Sequence, residues 1–317
     1  MGEEIKNLDD LIWAYRLSRV LQVANGLGVF ELLSTRRLDL AAICQSCKSK
    51  PDLTERLLIT CVAMGLLGKE QRRYFNTDLA NKYLTRGQKL YQGNMIAHSA
   101  TIWHFWDKLE DEIREVKKEA SPAEDHRNFI MAMENITLGG RGKLFLDNID
   151  LSGRKKMFDV GAGPATYSVL ACKRYPELKS VVFDLPETIA IAKEVILREN
   201  LKDQITVVEG NWDTDDFGCG NDVVLFSNVL HGGENETAMK LKKAYDSLIP
   251  GGLIVIQEFL LNENKTGPLI PALFNVMVGA FSVEELKRLI KEAGFTNVEI
   301  PAVSKDFSST WLKALKA

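Results

Sequence analysis

The chain has 317 residues, 45% hydrophobic and 26% charged, the composition of a soluble globular protein with room for about two domains and a core that needs neither disulfides nor a structural metal. Forty basic against forty-three acidic side chains leave a net charge of −3, and a pI of 5.9 excludes a strongly cationic nucleic-acid binder. No uncharged apolar run reaches the roughly 18 residues of a membrane span, because the closest, from Gly267 to Phe281, is interrupted by two prolines and an Asn.

The start, Met1-Gly2-Glu3-Glu4, has neither the basic nor the apolar region of a signal peptide, and Lys6 stands where a myristoylation signal requires Ser or Thr. Five cysteines fit reduced thiols, so the expectation is a cytoplasmic protein. Leu11, Ala14, Tyr15, Leu17, Leu21 and Ala24 recur at helical spacing, and Asn25-Gly26 ends that helix. Short helices follow at Leu38 to Cys47 and Leu53 to Leu67, with Asp52 as the expected N-cap of the second. Arg72 to Thr77 reads as a β-like wing and Asp78 to Leu84 as one more helix, so the first hundred residues have the pattern of a winged helix.

That pattern serves DNA binding or dimerisation. Residues 1–100 carry 14 basic and 10 acidic side chains, a net of +4. The would-be recognition helix, however, offers only Arg56 to a base edge, among Leu57, Leu58, Ile59, Cys61, Val62 and Met64. Such a helix belongs in a core or a subunit interface, and no nucleic-acid partner is expected. Residues 99–150 read as connecting helices, aromatic around Trp103, Phe105 and Trp106, with solvated charge at Glu110-Asp111-Glu112 and Lys117-Lys118-Glu119. Cys44-x-x-Cys47 lacks the second pair or the histidines of a zinc site, and no metal is expected.

From residue 157 the texture changes. Apolar runs at Met157–Ala162, Ser180–Leu185, Ile205–Gly210, Asp222–Leu230 and Gly252–Leu261 alternate with helical stretches at 165–175, 186–199, 235–248 and 282–293. This is the alternation of a doubly wound α/β domain, closed by a strand pair at Phe295–Val303 and Ser309–Lys316.

The first strand ends Asp159-Val160-Gly161-Ala162-Gly163-Pro164, a glycine turn that lets a ligand approach the backbone. A dinucleotide is excluded, because Thr166 stands at the sixth position, Pro164 has no N–H, and the loop holds no Lys or Arg for a pyrophosphate. Asp184, ending the second strand, is placed to accept ribose hydroxyls. Asn211 and Trp212, after the third, offer an amide and an aromatic face to adenine. Glycine loop, ribose acid and adenine clamp in that order describe a nucleoside cofactor without phosphates, which is S-adenosylmethionine (SAM), with S-adenosylhomocysteine (SAH) as product.

These motifs carry a resemblance. From about Gly153 to Gly294 the sequence resembles the class I SAM-dependent methyltransferases. More narrowly it resembles the small-molecule O-methyltransferases of the caffeate, acetylserotonin and bacterial natural-product type. It does so through Asp159-Val160-Gly161-Ala162-Gly163, Tyr175-Pro176-Glu177-Leu178, Val182-Phe183-Asp184-Leu185-Pro186, Glu209-Gly210-Asn211-Trp212, Asn228-Val229-Leu230-His231, Gln257-Glu258-Phe259 and Glu292-Ala293-Gly294-Phe295. Gly26-Leu27-Gly28-Val29-Phe30 and Met64-Gly65-Leu66-Leu67 resemble the same family's winged-helix dimerisation domain.

The resemblance implies an α/β fold, a doubly wound Rossmann-like sheet with an N-terminal α-helical winged-helix domain. It implies a dimerisation domain at 1–98, connecting helices that line the acceptor site at 99–150, and a SAM-binding domain at 151–317. A homodimer acting on a small-molecule acceptor follows from it. Asp159, Gly161, Gly163, Asp184, Leu185, Asn211, Trp212 and Ser227 would meet the cofactor. Trp106, Phe129, Met133, Phe274 and Met277 would wall a flat apolar pocket for an aromatic acceptor. His231 would be the base and Glu258 its orienting carboxylate, both at the carboxyl edge where open α/β sheets bind ligands.

The sequence departs from the family pattern at four places. Gly232-Gly233 replaces an acid and a Trp, Val278–Ser282 lacks the second acid, Asn211 replaces an Asp, and Ser227 replaces a Lys. The missing acid leaves nitrogen, sulfur or carbon acceptors, or other SAM-assisted chemistry, open beside oxygen, as well as a SAM-sensing winged-helix regulator that has lost catalysis.

Overall fold

The computed structural model describes residues 3–114 and 122–317, so the expected charge at Lys117-Lys118-Glu119 lies outside the described residues. Among the described residues the chain divides into two compact units, Gly2–Ala120 with Leu261–Ala280, and Ser121–Leu260 with Phe281–Ala317. Residues 99–150, expected as one connecting segment, are thus shared between the two.

In the first unit the helix Glu3–Gly26 is followed by the turn of helix Val29–Leu32, strand β1 (Leu38–Asp39) and helix Leu40–Cys47. Only the first two residues of the expected helix at 38–47 are strand, because the Asp39 carboxylate accepts from Ala42 N–H and starts the helix there. The next helix runs Pro51–Ala63. Its N-cap is Lys50 and not Asp52, since Pro51 already occupies the first helical position, where its missing N–H is no loss. Asp52 instead pairs with Arg56 one turn on. The chain leaves this helix at Met64-Gly65, where Leu66 N–H returns to Cys61 O, so Leu67 opens β2 (Leu67–Glu70), which pairs with β3 (Arg73–Asn76). The small antiparallel sheet has the order β1-β3-β2.

Thr77 caps the helix Asp78–Tyr83, and shorter helices run Gly93–Thr101, Trp103–Asp107 and Leu109–Ile113. Phe30, Ile43, Leu58, Cys61 and Tyr74 form the core. The late helix Leu269–Val278 joins this unit because Leu273 enters that core and Ala272 O accepts from Thr60 Oγ1 at 2.9 Å. Arg56 donates to Asn275 O, so the one cation of the expected recognition helix is engaged at both ends of its reach.

The second unit is built on a seven-stranded sheet of β4 (Lys156–Val160), β5 (Lys179–Asp184), β6 (Ile205–Glu209), β7 (Asn221–Ser227), β8 (Leu248–Glu258), β9 (Phe295–Ser304) and β10 (Ser309–Lys316). The order is β6-β5-β4-β7-β8-β10-β9. The five strands from β6 across to β8 are parallel and β10 is antiparallel to both its neighbours. Helices Thr166–Arg174, Pro186–Arg198, Glu234–Ser247 and Val283–Glu292 cross between strands.

Strand alternation fills both faces. Val224, Phe226, Ile254 and Ile256 pack to one side, and Val223, Leu225, Val255 and Trp311 to the other. Strand order reverses between β4 and β7, and that switch point is where such sheets open a crevice. Before the sheet, helix Pro122–Ile136 passes through a π turn, Thr137–Arg141, into helix Gly142–Asn148. Ion pairs of Arg127 with Glu194 and of Arg198 with Glu134 tie it to helix Pro186–Arg198.

Candidate active site

The strands β4, β5 and β7 end around a cleft of about 460 Å³, part of it open to solvent. Asp159, Gly161, Gly163, Thr166, Ser227 and Met133 line it, with Arg141 and Tyr167. Gly161 and Gly163 both adopt left-handed backbone, φ 64° and 55°, which glycine enters without steric cost. Their amides are committed. Gly161 N–H donates to Phe183 O at 2.9 Å, and Gly163 N–H donates to Asp184 Oδ2 at 2.9 Å. Asp184 Oδ1 accepts from Leu185 N–H at 2.8 Å, so the carboxylate at the end of β5 is held by two backbone donors while burial pushes its pKa up. Leu185 itself is exposed.

Asp159 is 1% exposed and accepts from Ser168 Oγ at 2.6 Å. Burial pushes its carboxyl up to about 7, against the opposing pull of that hydrogen bond and with a further push from Asp184. Ser227 Oγ donates to Gln257 Oε1 at 2.9 Å. Asn211 is exposed, its Oδ1 accepting from Asp213 N–H, while Trp212 is half-buried against Gly161. A Cβ at Gly161 would lie 2.7 Å from Trp212 Cζ3 and 2.8 Å from Val229 Cγ2, so the loop is a cradle that only glycine leaves open.

Beyond β7, His231 is half-buried with Nδ1 3.9 Å from Glu258 Oε2. Glu258 is 1% exposed and its Oε1 accepts from Leu230 N–H at 2.6 Å. The two residues come together across neighbouring strand ends, at ion-pair range and beyond hydrogen-bond length. Gly232 takes φ 95°, and Gly233 caps the following helix with no side chain of its own to bond.

The five expected acceptor-pocket residues are divided. Met133 lines the cleft, and Phe129 is exposed on the same helix, Pro122–Ile136. In the other unit Trp106 and Met277 are exposed, and Phe274 packs edge-on against Trp13 at 5.1 Å.

The cleft suits a nucleoside cofactor without phosphates. Thr166 Oγ1 and Asn228 Oδ1 are buried and have no hydrogen-bond partner among the described residues. The only basic residue among the described lining is Arg141, whose Nε and Nη2 donate to Phe307 O.

Several residues here were not picked out from the sequence. Arg141 lay inside a stretch read only as connecting helices, although the preceding Gly139-Gly140 marks a break in them. His126 places Nε2 3.1 Å from Thr188 Oγ1, beside Asp184. Lys240 is buried, and its spacing from Thr237, Leu241 and Ala244 puts it on the inward face of its helix, a signal that was available.

Comparison with known proteins agrees with this arrangement. The O-methyltransferase domain family matches residues 113–296, and the O-methyltransferase dimerisation domain matches 9–86. Acetylserotonin O-methyltransferase of Macaca mulatta is 30% identical over 322 residues, covering 92% of each chain. The crystal structure of an O-methyltransferase family 2 protein from Planctomyces limnophilus, in complex with apigenin, has the same fold. Its TM-score is 0.83 at 24% identity, over 99% of this chain and 96% of that one. Human N-acetylserotonin methyltransferase in complex with SAM superposes with a TM-score of 0.56 at 26% identity, over 100% and 99%. With its switch-point cleft and glycine cradle, the chain belongs to the O-methyltransferase family and is a SAM-dependent O-methyltransferase.

Proposed function

We propose that the protein methylates a hydroxyl group of a small aromatic molecule, with His231 as the general base. The observation that carries this is His231 Nδ1 facing the buried Glu258 at 3.9 Å, at the same sheet edge as the glycine cradle. When bound, SAM supplies an activated methyl group, so the protein's part is position and proton removal. With Nδ1 turned to the carboxylate, Nε2 keeps its lone pair for the acceptor hydroxyl's proton, and Glu258 stabilises the imidazolium that forms. Asp184 and Trp212 hold the ribose and adenine, and Gly161 and Gly163 let the methionine moiety approach the backbone. Asp159, Leu185, Asn211 and Ser227 complete the cofactor's surroundings.

Met133, which lines the cleft, and Phe129 on the same helix are the thioether and aromatic side chains of this unit that suit a flat acceptor. The acceptor named for the macaque relative, acetylserotonin, supports the aromatic class. The protein works as a homodimer. Leu8, Leu11, Ile12 and Tyr15 expose an apolar stripe on the first helix, and a second copy covers it. Nucleic acid has no part in this reading, because Arg56 is engaged within its own unit.

The test is calorimetric titration with SAM, SAH and NAD, followed by labelled-methyl transfer to phenols, amines and thiols. Micromolar binding of SAM and SAH without NAD, and label on phenolic oxygen, is the expected result. Label on nitrogen or sulfur alone would overturn the acceptor assignment.

A further inference from the structure

Lys240 is a buried charge to which the mechanism above gives no task. It lies on the helix Glu234–Ser247 with 5% of its surface exposed. A buried ammonium is costly unless it is paired, so its neighbours indicate its role. Its Nζ donates to Val229 O at 3.3 Å and stands 4.7 Å from the centroid of the Trp212 ring. Burial pulls its pKa down, and Asp213, Glu258 and Glu236 push back.

Its two partners both border Gly161 by their side chains, but they lead to different parts of the chain, Trp212 to the loop after β6 and Val229 to the turn after β7. Val229 opens the turn in which Leu230 N–H meets Glu258 and His231 follows. Lys243, one turn further along the helix, donates to the carbonyls of Trp212, Asp213 and Asp215, fastening the same loop by its main chain. Lys240 alone of the two bridges from that loop to the carbonyl of Val229.

We propose that Lys240 is a positioning residue that couples Trp212, packed over the glycine cradle, to the Val229–His231 turn, so that filling the cleft and seating the histidine are one event. This rests on the reading of the cleft and of His231 given above.

Two measurements on the full chain test it, SAH affinity by calorimetry and hydrogen exchange of a peptide spanning 227–232 with and without SAH. Lys240→Met keeps an apolar stem against Trp212 and removes the ammonium, Lys240→Gln is a second neutral variant should the first not fold, and Lys240→Arg keeps the charge.

The neutral variants should bind SAH about tenfold more weakly, the scale of one lost hydrogen bond to a charged group. They should also lose the slowing of exchange that SAH produces in the wild type. Arginine should restore both to within about twofold. In a Trp212→Phe background the further loss from Lys240→Met should shrink to under about twofold, because coupled residues are not additive. Wild-type affinity and wild-type exchange in the neutral variants, or strict additivity with Trp212→Phe, would overturn the coupling alone. A wild-type protein that does not bind SAH would overturn the cofactor reading and this inference with it.

Discussion

The two sides of the cleft are held by different means. Around β4 and β5 the backbone does the holding. Gly161 N–H is bound to Phe183 O, Gly163 N–H and Leu185 N–H grip the two oxygens of Asp184, and both glycines sit in left-handed backbone. Beyond β7 and β8 the arrangement hangs on side chains. His231 is half-buried, stands 3.9 Å from Glu258, and follows a turn pinned by one carboxylate and one lysine. The first side is a receptacle held by main-chain hydrogen bonds, and the second is a side chain outside those bonds. Loss of the imidazole alone should therefore spare binding, whereas loss of Lys240, which joins the two sides through the Val229 carbonyl, should not.

The largest effect expected is on the reactive side. His231→Ala removes the proposed general base, a group that contributes typically 10²- to 10⁴-fold, so kcat should fall about 10³-fold. SAH affinity should stay within about twofold, since none of the receptacle's hydrogen bonds runs through the imidazole. Single-turnover methyl transfer and calorimetry measure the two quantities side by side. A parallel loss of both would mean that the imidazole itself helps to hold the receptacle, and the comparison fails.

The receptacle stores a charge cost that shows in its pH dependence. Burial holds Asp159 at about 7, against ~3.9 in an unfolded chain. Between those values the folded protein keeps a proton that the unfolded chain releases. Its contribution to stability is therefore full below about pH 4 and is lost as pH rises through about 7, by on the order of 4 kcal/mol. Asp159→Asn removes this titration. Denaturant unfolding at pH 5 and pH 8 should show the variant losing less stability over that interval than the wild type does. Equal losses in the two proteins would show that Asp159 ionises as an ordinary carboxylate.

The sequence was legible where structure follows from local pattern. The five parallel strands, the four crossing helices and the closing strand pair lie within a few residues of their expected places, because buried strands read as short apolar runs between amphipathic helices. The placement of the glycine turn and of Asp184 was legible for the same reason, since Gly161 directly follows β4 and Asp184 ends β5. The errors arose where competing local rules met. Pro51 displaced Asp52 as the helix boundary, and the Met64-Gly65 turn released Leu67 into a strand. Lys240 reads as one more surface lysine until its helical phase is taken seriously. The expected acceptor residues Trp106, Phe129, Met133, Phe274 and Met277 came from the family resemblance and not from local pattern, because they lie in segments far apart in the chain. No periodicity connects them.

The smallest effect is also the sharpest test of the cofactor side, because it compares two glycines of one loop. Gly161 and Gly163 share the left-handed backbone, so alanine at either costs ~1–2 kcal/mol in conformational strain. Their surroundings differ. At Gly163 an added methyl meets nothing within 4 Å, whereas at Gly161 it lies 2.7 Å from Trp212 and 2.8 Å from Val229. Gly161→Ala must therefore shift the ring or the valine, adding an overpacking cost of roughly 1 kcal/mol or more that Gly163→Ala escapes. Both variants should melt below the wild type, with Gly161→Ala the lower. Gly161→Ala should also weaken SAH binding by about fivefold more than Gly163→Ala, because the displaced side chains pack against the loop that lines the cleft. If the two variants behave alike, strain accounts for the whole loss and Trp212 is free to move. In that case the cofactor side is not held as described above.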